Sequence, residues 1–480
     1  MSNDVAAPVV APVHRRRWVA LAVLLVAEAM NLLDSTIVQV AAPVMHTDLA
    51  GPDSDIQWFT AAYTLPFAVL LISGGRLGDM VGRKRIFRLG VAVFVLASLC
   101  CALAGSAELL ITMRAVQGAA AAFIVPQTFG LIRAMFGGDE LTKALGSIGP
   151  VMGLAAVCGP VLGGVLTHAD LFGSSWRAVF LVNVPLGVAV LLAAPLLRED
   201  RAATRPSLDL VGTALVIVGA GLVVYPLIEG NTAGWPAWTW LTLGAGLLVL
   251  VIFGLHQRLG ARAVRGRLVA TTLFQDRGFP AALASSVLFF AVMTGLMLIV
   301  VLQLQLGLHA DVLTAGLSLL PWSVGLGVAS FLAGSYLVPR YGARVMFAGL
   351  AVLLVGVLGA ITVYATSSAT AYPWPLLPAL GISGLGLGLF TTPFFTVALS
   401  RVRPPETGSA AGLLNAVQQL GGTLGVALLG TVFLHTLTGG GNSLDAAQRA
   451  CWLAVGLLVA TGVAVAVLVS PVSRPDHEAR

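Results

Sequence analysis

The chain has 480 residues, 58% of them hydrophobic and only 10% charged, with a mean hydropathy of +0.93. Soluble domains carry roughly 25% charged residues, so this balance excludes a soluble globular class and describes a polytopic membrane protein. The net charge of +6 is read as membrane topology and lipid contact, not as nucleic-acid binding.

A spanning helix needs about 20 apolar residues. Fourteen runs qualify in chain order: 18–42, 56–75, 86–104, 108–132, 144–167, 177–197, 208–229, 238–256, 280–305, 313–336, 343–365, 374–399, 409–434 and 450–470. The first follows "HRRR" (14–17), but it is too long for a signal-peptide core and holds two acids, so it is expected to stay in the mature protein. Basic clusters at 14–17, 82–88, 198–205, 256–267, 340–344 and 401–403 all fall on one side of a fourteen-span chain, and only Arg114, Arg177 and Arg449 fall elsewhere. By the positive-inside rule that face is cytoplasmic, with both termini on it.

Two polar linkers divide the chain. Residues 1–200 form a six-span N-terminal half, 201–275 a linker carrying two additional spans, and 276–480 a six-span C-terminal half. "GGRLGDMVGRKRIF" (74–87) and "GSYLVPRYGARVMF" (334–347) occupy matching places in the two halves, each with Gly-x-Arg before a new helix. Internal repeats around a central cavity are how many secondary transporters are built. The four cysteines, Cys100, Cys101, Cys158 and Cys451, sit in apolar runs with neither metal-ligand spacing nor a disulfide framework. Without a phosphate-binding loop or paired acidic metal site in an exposed segment, no cofactor, metal or enzymatic activity is expected, and ATP-driven transport by this chain alone is not.

Polar residues inside the spans carry the chemistry. In "NLLDSTIVQVAAP" (31–43) Asp34 lies in the first span, with Glu28 six residues earlier. At 100° per residue Glu28, Asn31, Ser35 and Gln39 share an arc of roughly 80°, and Asp34 stands on its edge. A charged carboxylate at the bilayer centre costs about 2.5–3.5 kcal/mol on insertion scales, so these acids are expected to face a wet cavity or a partner. Burial disfavours the charged form of a carboxyl, which is what a proton carrier requires. The plainer account makes Asp34 a polar residue near the outer helix end. Glu28 has three readings: a second proton site, a counter-charge for a cationic substrate, or a polar group bonded to its neighbours. Arg114 is the basic residue well inside a span, close in depth to Asp34, and Gln117 shares its face. An Asp34–Arg114 ion pair is expected, against an arginine that snorkels to the interface.

These residues lie in motifs that resemble the major facilitator superfamily, and within it the fourteen-span drug/proton antiporters. "LLDSTIVQVAAP" is similar to that family's first-helix signature, with Gln39 and Ala42 departing from it, and "GRLGDMVGRKR" (75–85) resembles the superfamily loop between helices 2 and 3. "LITMRAVQGAAAA" (110–122) is similar to the fourth-helix arginine motif, and "GPVMGLAAVCGPVLGG" (149–164) to the fifth-helix antiporter motif. "SWRAVFLVNVPLG" (175–187) and "GSAAGLLNAVQQLGGTLGVALLG" (408–430) look like hallmarks of the fourteen-span branch. The resemblance implies an all-α major facilitator fold and proton-coupled export by a multi-pass protein of the cell membrane.

The proton-coupling residues expected on these grounds are Asp34, Arg114 and Glu28. Gly75, Asp79, Gly82 and Arg83 are read as a latch at the cytoplasmic face, against a short basic turn; Asp79 is placed to bind an arginine. Gly153, Gly159, Pro160 and Gly163 suit close packing and a kink, and the resemblance adds an interface between halves that limits leak. Substrate contacts are expected from Glu28, Asn31, Trp58, Tyr63, Gln117, Gln303, Phe394, Asn415 and Gln418, any of which could instead glue helices together. Glu229 and His435 are expected at outer helix ends, facing the interface. The cargo expected is a lipophilic, cationic or amphipathic small molecule, exchanged for protons by a monomer in the bilayer; a dedicated exporter of one metabolite or self-made antibiotic is the alternative. A membrane sensor would carry a sizeable soluble domain, and none is visible.

Overall fold

The computed structural model describes residues 16–170, 173–201, 208–259, 271–275, 277–368, 372, 374–400, 402–403 and 406–470. Arg15, Arg205, Arg262, Arg265, Arg267, Arg401, Arg474 and Arg480, all counted on the basic face, lie outside them. Among the described residues are fourteen helices long and apolar enough to cross a membrane, and no strand. They are α1 (Arg17–Leu49), α2 (Asp55–Val81), α3 (Arg83–Ala102), α4 (Ala107–Met135), α5 (Gly138–His168), α6 (Ser175–Leu196), α7 (Leu210–Ala233), α8 (Ala237–Arg258), α9 (Gly278–Gly307), α10 (Val312–Tyr341), α11 (Arg344–Thr366), α12 (Leu376–Ser400), α13 (Ser409–Thr438) and α14 (Ser443–Val469).

Two boundaries differ instructively from the sequence expectation. The first span runs to Leu49, through Pro43, because the loss of one backbone bond is tolerated where neighbouring helices and side chains re-satisfy the freed groups. The segment 75–85, expected as a loop, is helical on both sides of Gly82. Gly82 alone makes the turn, at φ 123°, and Gly342 makes the matching turn before α11 at φ 58°. The preceding glycines admit α4: a Cβ on Gly74 would stand 2.1 Å from the Ala122 carbonyl oxygen, and one on Gly78 would stand 1.9 Å from Gln127 Oε1.

The two halves repeat each other in packing. α2 lies on α4 as α10 lies on α12, and α1 lies on α5 as α9 lies on α13. The repeat reaches single residues: a Cβ on Gly118 would meet the Tyr63 carbonyl oxygen at 2.0 Å, and one on Gly384 would meet that of Trp322 at 2.0 Å. Small residues at such crossings let backbones approach, and packing rather than water exclusion drives association in lipid.

Between halves, α2 packs on α13 and α5 on α10. The Gln57 amide donates to the Val426 carbonyl at 3.2 Å, Thr423 and Thr64 share a hydroxyl bond of 2.7 Å, and Gln305 donates to the Val40 carbonyl at 2.8 Å. Gly164 faces Val312 and Gly316, which in turn faces Pro160. All of these lie in the parts of their helices farther from the basic face. Nearer that face a Cβ on Gly149 or Gly153 would meet nothing within 4 Å.

The inserted pair α7–α8 leans on the seam. α7 touches both α2 and α13, whereas α8 turns Leu241, Leu248 and Val251 outward. Glu229 of α7 accepts from Trp58 Nε1 at 2.6 Å and from Ser54 at 3.4 Å. Thr431 of α13 donates to the Leu227 carbonyl at 2.6 Å, and His435 bonds Asn231 at 2.9 Å. Glu229, at the helix end where it was expected, is therefore also a half-buried clasp between helices, held by Trp58 and Ser54 from α2 and by Thr232 of its own helix. Trp58→Phe keeps an aromatic side chain but removes the N–H donor and part of the indole, and is expected to cost about 1–2 kcal/mol for the lost bond. A lower melting temperature in detergent would register this, and an unchanged one would mean that the bond contributes nothing.

Candidate functional site

Asp34 sits in the middle of a buried hydrogen-bond cluster supplied by four helices. Arg114 of α4 donates from Nη1 to Asp34 Oδ2, and both side chains are fully buried. Gln117, one turn along α4, donates to Asp34 Oδ1 at 2.8 Å, and Asn183 of α6 donates to the same oxygen at 2.7 Å. Ser98 of α3 accepts from Gln117 at 2.7 Å and from Asn183 at 3.4 Å. Both carboxylate oxygens are thereby satisfied, which offsets part of the cost of keeping the ion pair out of water, while Arg114 Nη2 has no hydrogen-bond partner.

Arg114 has partners beyond Asp34. Its Nε donates to the Phe59 carbonyl at 3.0 Å, its Nη1 also donates to Gln117 Oε1 at 2.6 Å, and its guanidinium lies over Tyr63 at 4.4 Å from the ring centroid. A desolvated cation over an aromatic face gains about 2 kcal/mol. The guanidinium therefore keeps hydrogen bonds to α2 and within α4 if the Asp34 charge is cancelled.

Glu28 and Asn31 share the buried face of α1 but stand outside this cluster, 4% and 5% exposed. Glu28 Oε1 and both side-chain atoms of Asn31 have no hydrogen-bond partner. The Tyr63 hydroxyl donates to the Asn31 carbonyl at 3.5 Å.

At the basic face, Arg83 pairs with Asp79 at 2.6 Å and with Asp200 at 3.3 Å. Glu199 accepts from the Lys84 backbone N–H at 3.0 Å, and the Lys84 ammonium donates to the Pro195 carbonyl at 3.0 Å. Gly130 makes room for the Arg83 guanidinium: a Cβ there would lie 1.3 Å from Nη1. The expected arginine for Asp79 is thus its own neighbour one turn on, and the chain beyond α6 completes the group. Gly75 stands in ordinary contact with Pro126. In α5, Gly159 faces Thr36, and Gly163 faces Ile37 and Val40 of α1.

The remaining expected substrate residues are dispersed. Trp58 is held by Glu229. Phe394 is fully buried in a stack with Phe390, at 5.4 Å between centroids, and Phe390 stacks on Phe289 at 3.9 Å. Gln303 is fully buried at the π-turn ending α9, with both side-chain atoms unpartnered. Asn415 and Gln418 are half-buried on α13. Asn183, Ser98 and Thr128 were not singled out from the sequence. All three are polar residues inside apolar spans, the signal by which Asp34 and Gln117 were found.

A fourteen-helix bundle of two repeated halves, with a buried ion pair in its first half, is the architecture of a transporter of the major facilitator type. The chain belongs to the Major Facilitator Superfamily, whose family model matches residues 24–426. It is 44% identical over 427 residues to a probable actinorhodin transporter of Streptomyces coelicolor, covering 89% of this chain and 74% of that one. It is 36% identical to a puromycin resistance protein of Streptomyces alboniger, covering 87% and 82%, and 34% identical to the multidrug resistance protein Stp of Mycobacterium tuberculosis, covering 85% and 74%. Among solved structures it resembles a POT family transporter in complex with 5-aminolevulinic acid, at a TM-score of 0.67 and 11% identity over 94% of this chain and 97% of that one. That likeness concerns the fold alone.

Proposed function

We propose that the chain is a proton-coupled antiporter that exports lipophilic, cationic or amphipathic small molecules, drugs or antibiotics among them, from the cytoplasm by alternating access. The observation that carries the reading is the buried Asp34 carboxylate, held by Arg114, Gln117 and Asn183. A proton arriving on Asp34 cancels the counter-charge of Arg114 and loosens the tie between α1, α4 and α6. Release of that proton restores it, so the packing of α1 depends on the protonation of one side chain. The basic face is then cytoplasmic, and bonds such as Gln305 to Val40 close the opposite, outer side. The Asp79–Arg83–Asp200 group is the latch that must rearrange when the halves rock.

A narrower cargo range is favoured by one observation, the 44% identity to a protein named for a single antibiotic. The test of both is efflux from inside-out vesicles with an imposed proton gradient, run with cationic dyes and neutral antibiotics. Asp34→Asn, which cannot cycle a proton, is expected to abolish gradient-driven efflux for every cargo while leaving the protein in the membrane. Full gradient-driven efflux in that variant would remove the coupling role of Asp34. Efflux of one compound out of the whole panel would establish the dedicated exporter.

A further inference from the structure

The two carboxylates of α1 are in opposite situations. Asp34 has both carboxylate oxygens answered, by a guanidinium and two amides. Glu28, about 9 Å nearer the basic face at 1.5 Å per residue, has no cation beside it. The Thr128 hydroxyl of α4 faces its carboxyl yet completes no hydrogen bond, and neither do Glu28 Oε1, Asn31 Oδ1 or Asn31 Nδ2. Glu28, Asn31 and Thr128 are each at least nine-tenths buried. Buried polar groups are ordinarily paired, and each one left unpaired costs free energy. Glu28 Oε1 and both side-chain atoms of Asn31, unanswered on one buried face of α1 beside the Thr128 hydroxyl, are free to take a ligand.

The donor and acceptor set defines the ligand. A carboxylate, an amide oxygen and a hydroxyl oxygen can accept the three N–H bonds of one ammonium, while the amide Nδ2 of Asn31 remains to donate to a carbonyl or hydroxyl beside it. The Tyr63 hydroxyl, which donates to the Asn31 carbonyl at 3.5 Å, ties α2 to α1 beside these groups. We propose that Glu28, Asn31 and Thr128 form the recognition site for a protonated primary or secondary amine on the cargo. This rests on the transporter reading above and adds the class of group bound. A quaternary ammonium, which has no N–H, leaves the same atoms unanswered.

An isolated buried carboxylate is neutralised by either a proton or a cation. Ammonium binding therefore releases the proton held by Glu28 to the water at the basic face, one proton out for one cation in. The ionisable groups that α1 and its neighbours bring to this region are Asp34, Arg114 and the Tyr63 phenol. Helices α6 and α9, which also pack on α1, carry no charged side chain between Ala178 and Leu196 or between Gly278 and Gly307. The pH dependence of amine binding thus belongs to Glu28 or to the Asp34 pair, and variants separate the two. Affinity is expected to weaken as pH falls, because protonated Glu28 offers no charge.

The test uses the full chain in lipid nanodiscs and three fluorescent probes: dansylcadaverine, a primary alkylammonium, its N-acetyl derivative and its trimethylammonium derivative. The primary amine is expected to bind about tenfold or more tighter than either derivative, about 1.4 kcal/mol, and to release close to one proton per probe in weak buffer. Glu28→Gln is expected to level the three affinities and abolish the proton release, and Glu28→Asp to restore part of both, with unchanged melting temperatures certifying the fold. Equal binding of the three probes, no binding of the primary amine, or amine selectivity that survives Glu28→Gln overturns the proposal. Binding needs no gradient, so a protein that passes here but fails gradient-driven efflux would keep the amine site and lose the antiport reading.

Discussion

Arg114→Ala is expected to be among the most destabilising single changes in the chain, at about 3–5 kcal/mol. The cost comes less from the lost contact than from the Asp34 carboxylate left behind, which has no route to water and two amides in place of a counter-charge. Thermal denaturation in detergent measures the loss. The double variant Asp34→Asn with Arg114→Gln separates the causes: with neither charge present, the amides can bond one another, and the double is expected to be more stable than Arg114→Ala alone. If the losses of Asp34→Asn and Arg114→Gln, each measured alone, simply added to that of the double, the two residues would not act as a pair. Neither variant is expected to support proton-driven efflux, because stability can be restored by an uncharged pair and proton exchange cannot.

The span pattern and the ion pair were legible because lipid enforces them. Apolar runs of about 20 residues have few alternatives, and an acid and an arginine at one depth in hydrocarbon have little else to pair with. The Glu229–Trp58 clasp and the Asp200–Arg83 contact were not legible, since each joins segments distant in sequence at membrane edges, where a charge is already tolerated and needs no partner. Asn183 was hidden for another reason. An amide inside an apolar span costs little enough to pass as interhelical glue, and only its 2.7 Å bond to Asp34 distinguishes it. The glycines divided the same way: their spacing predicted close approach, but not that Gly164 and Gly316 meet across the halves while Gly149 and Gly153 meet nothing.

That division carries the second large effect. A Cβ on Gly164 would stand 2.9 Å from the Val312 carbonyl oxygen, and one on Gly316 would stand 2.7 Å from that of Pro160. Backbone lies on both sides, so no side chain can swing away, and overpacking of this kind costs about 1–3 kcal/mol. The fold can avoid the cost by separating α5 from α10 on the face away from the basic end. Gly164→Val is therefore expected to shift the population away from the arrangement in which that face is closed. A shift of about 1.4 kcal/mol changes the ratio of two states tenfold. Accessibility of a single cysteine at Val40, in a background with the four native cysteines replaced, reads it out: thiol labelling from the face away from the basic end is expected to rise several-fold, and proton leak without cargo to rise with it. Gly153→Val, with open space around the Cβ position, is the matched control, expected to leave labelling at residue 40 unchanged. If both variants raised labelling equally, the outer contact of α5 with α10 would not be what holds the face shut.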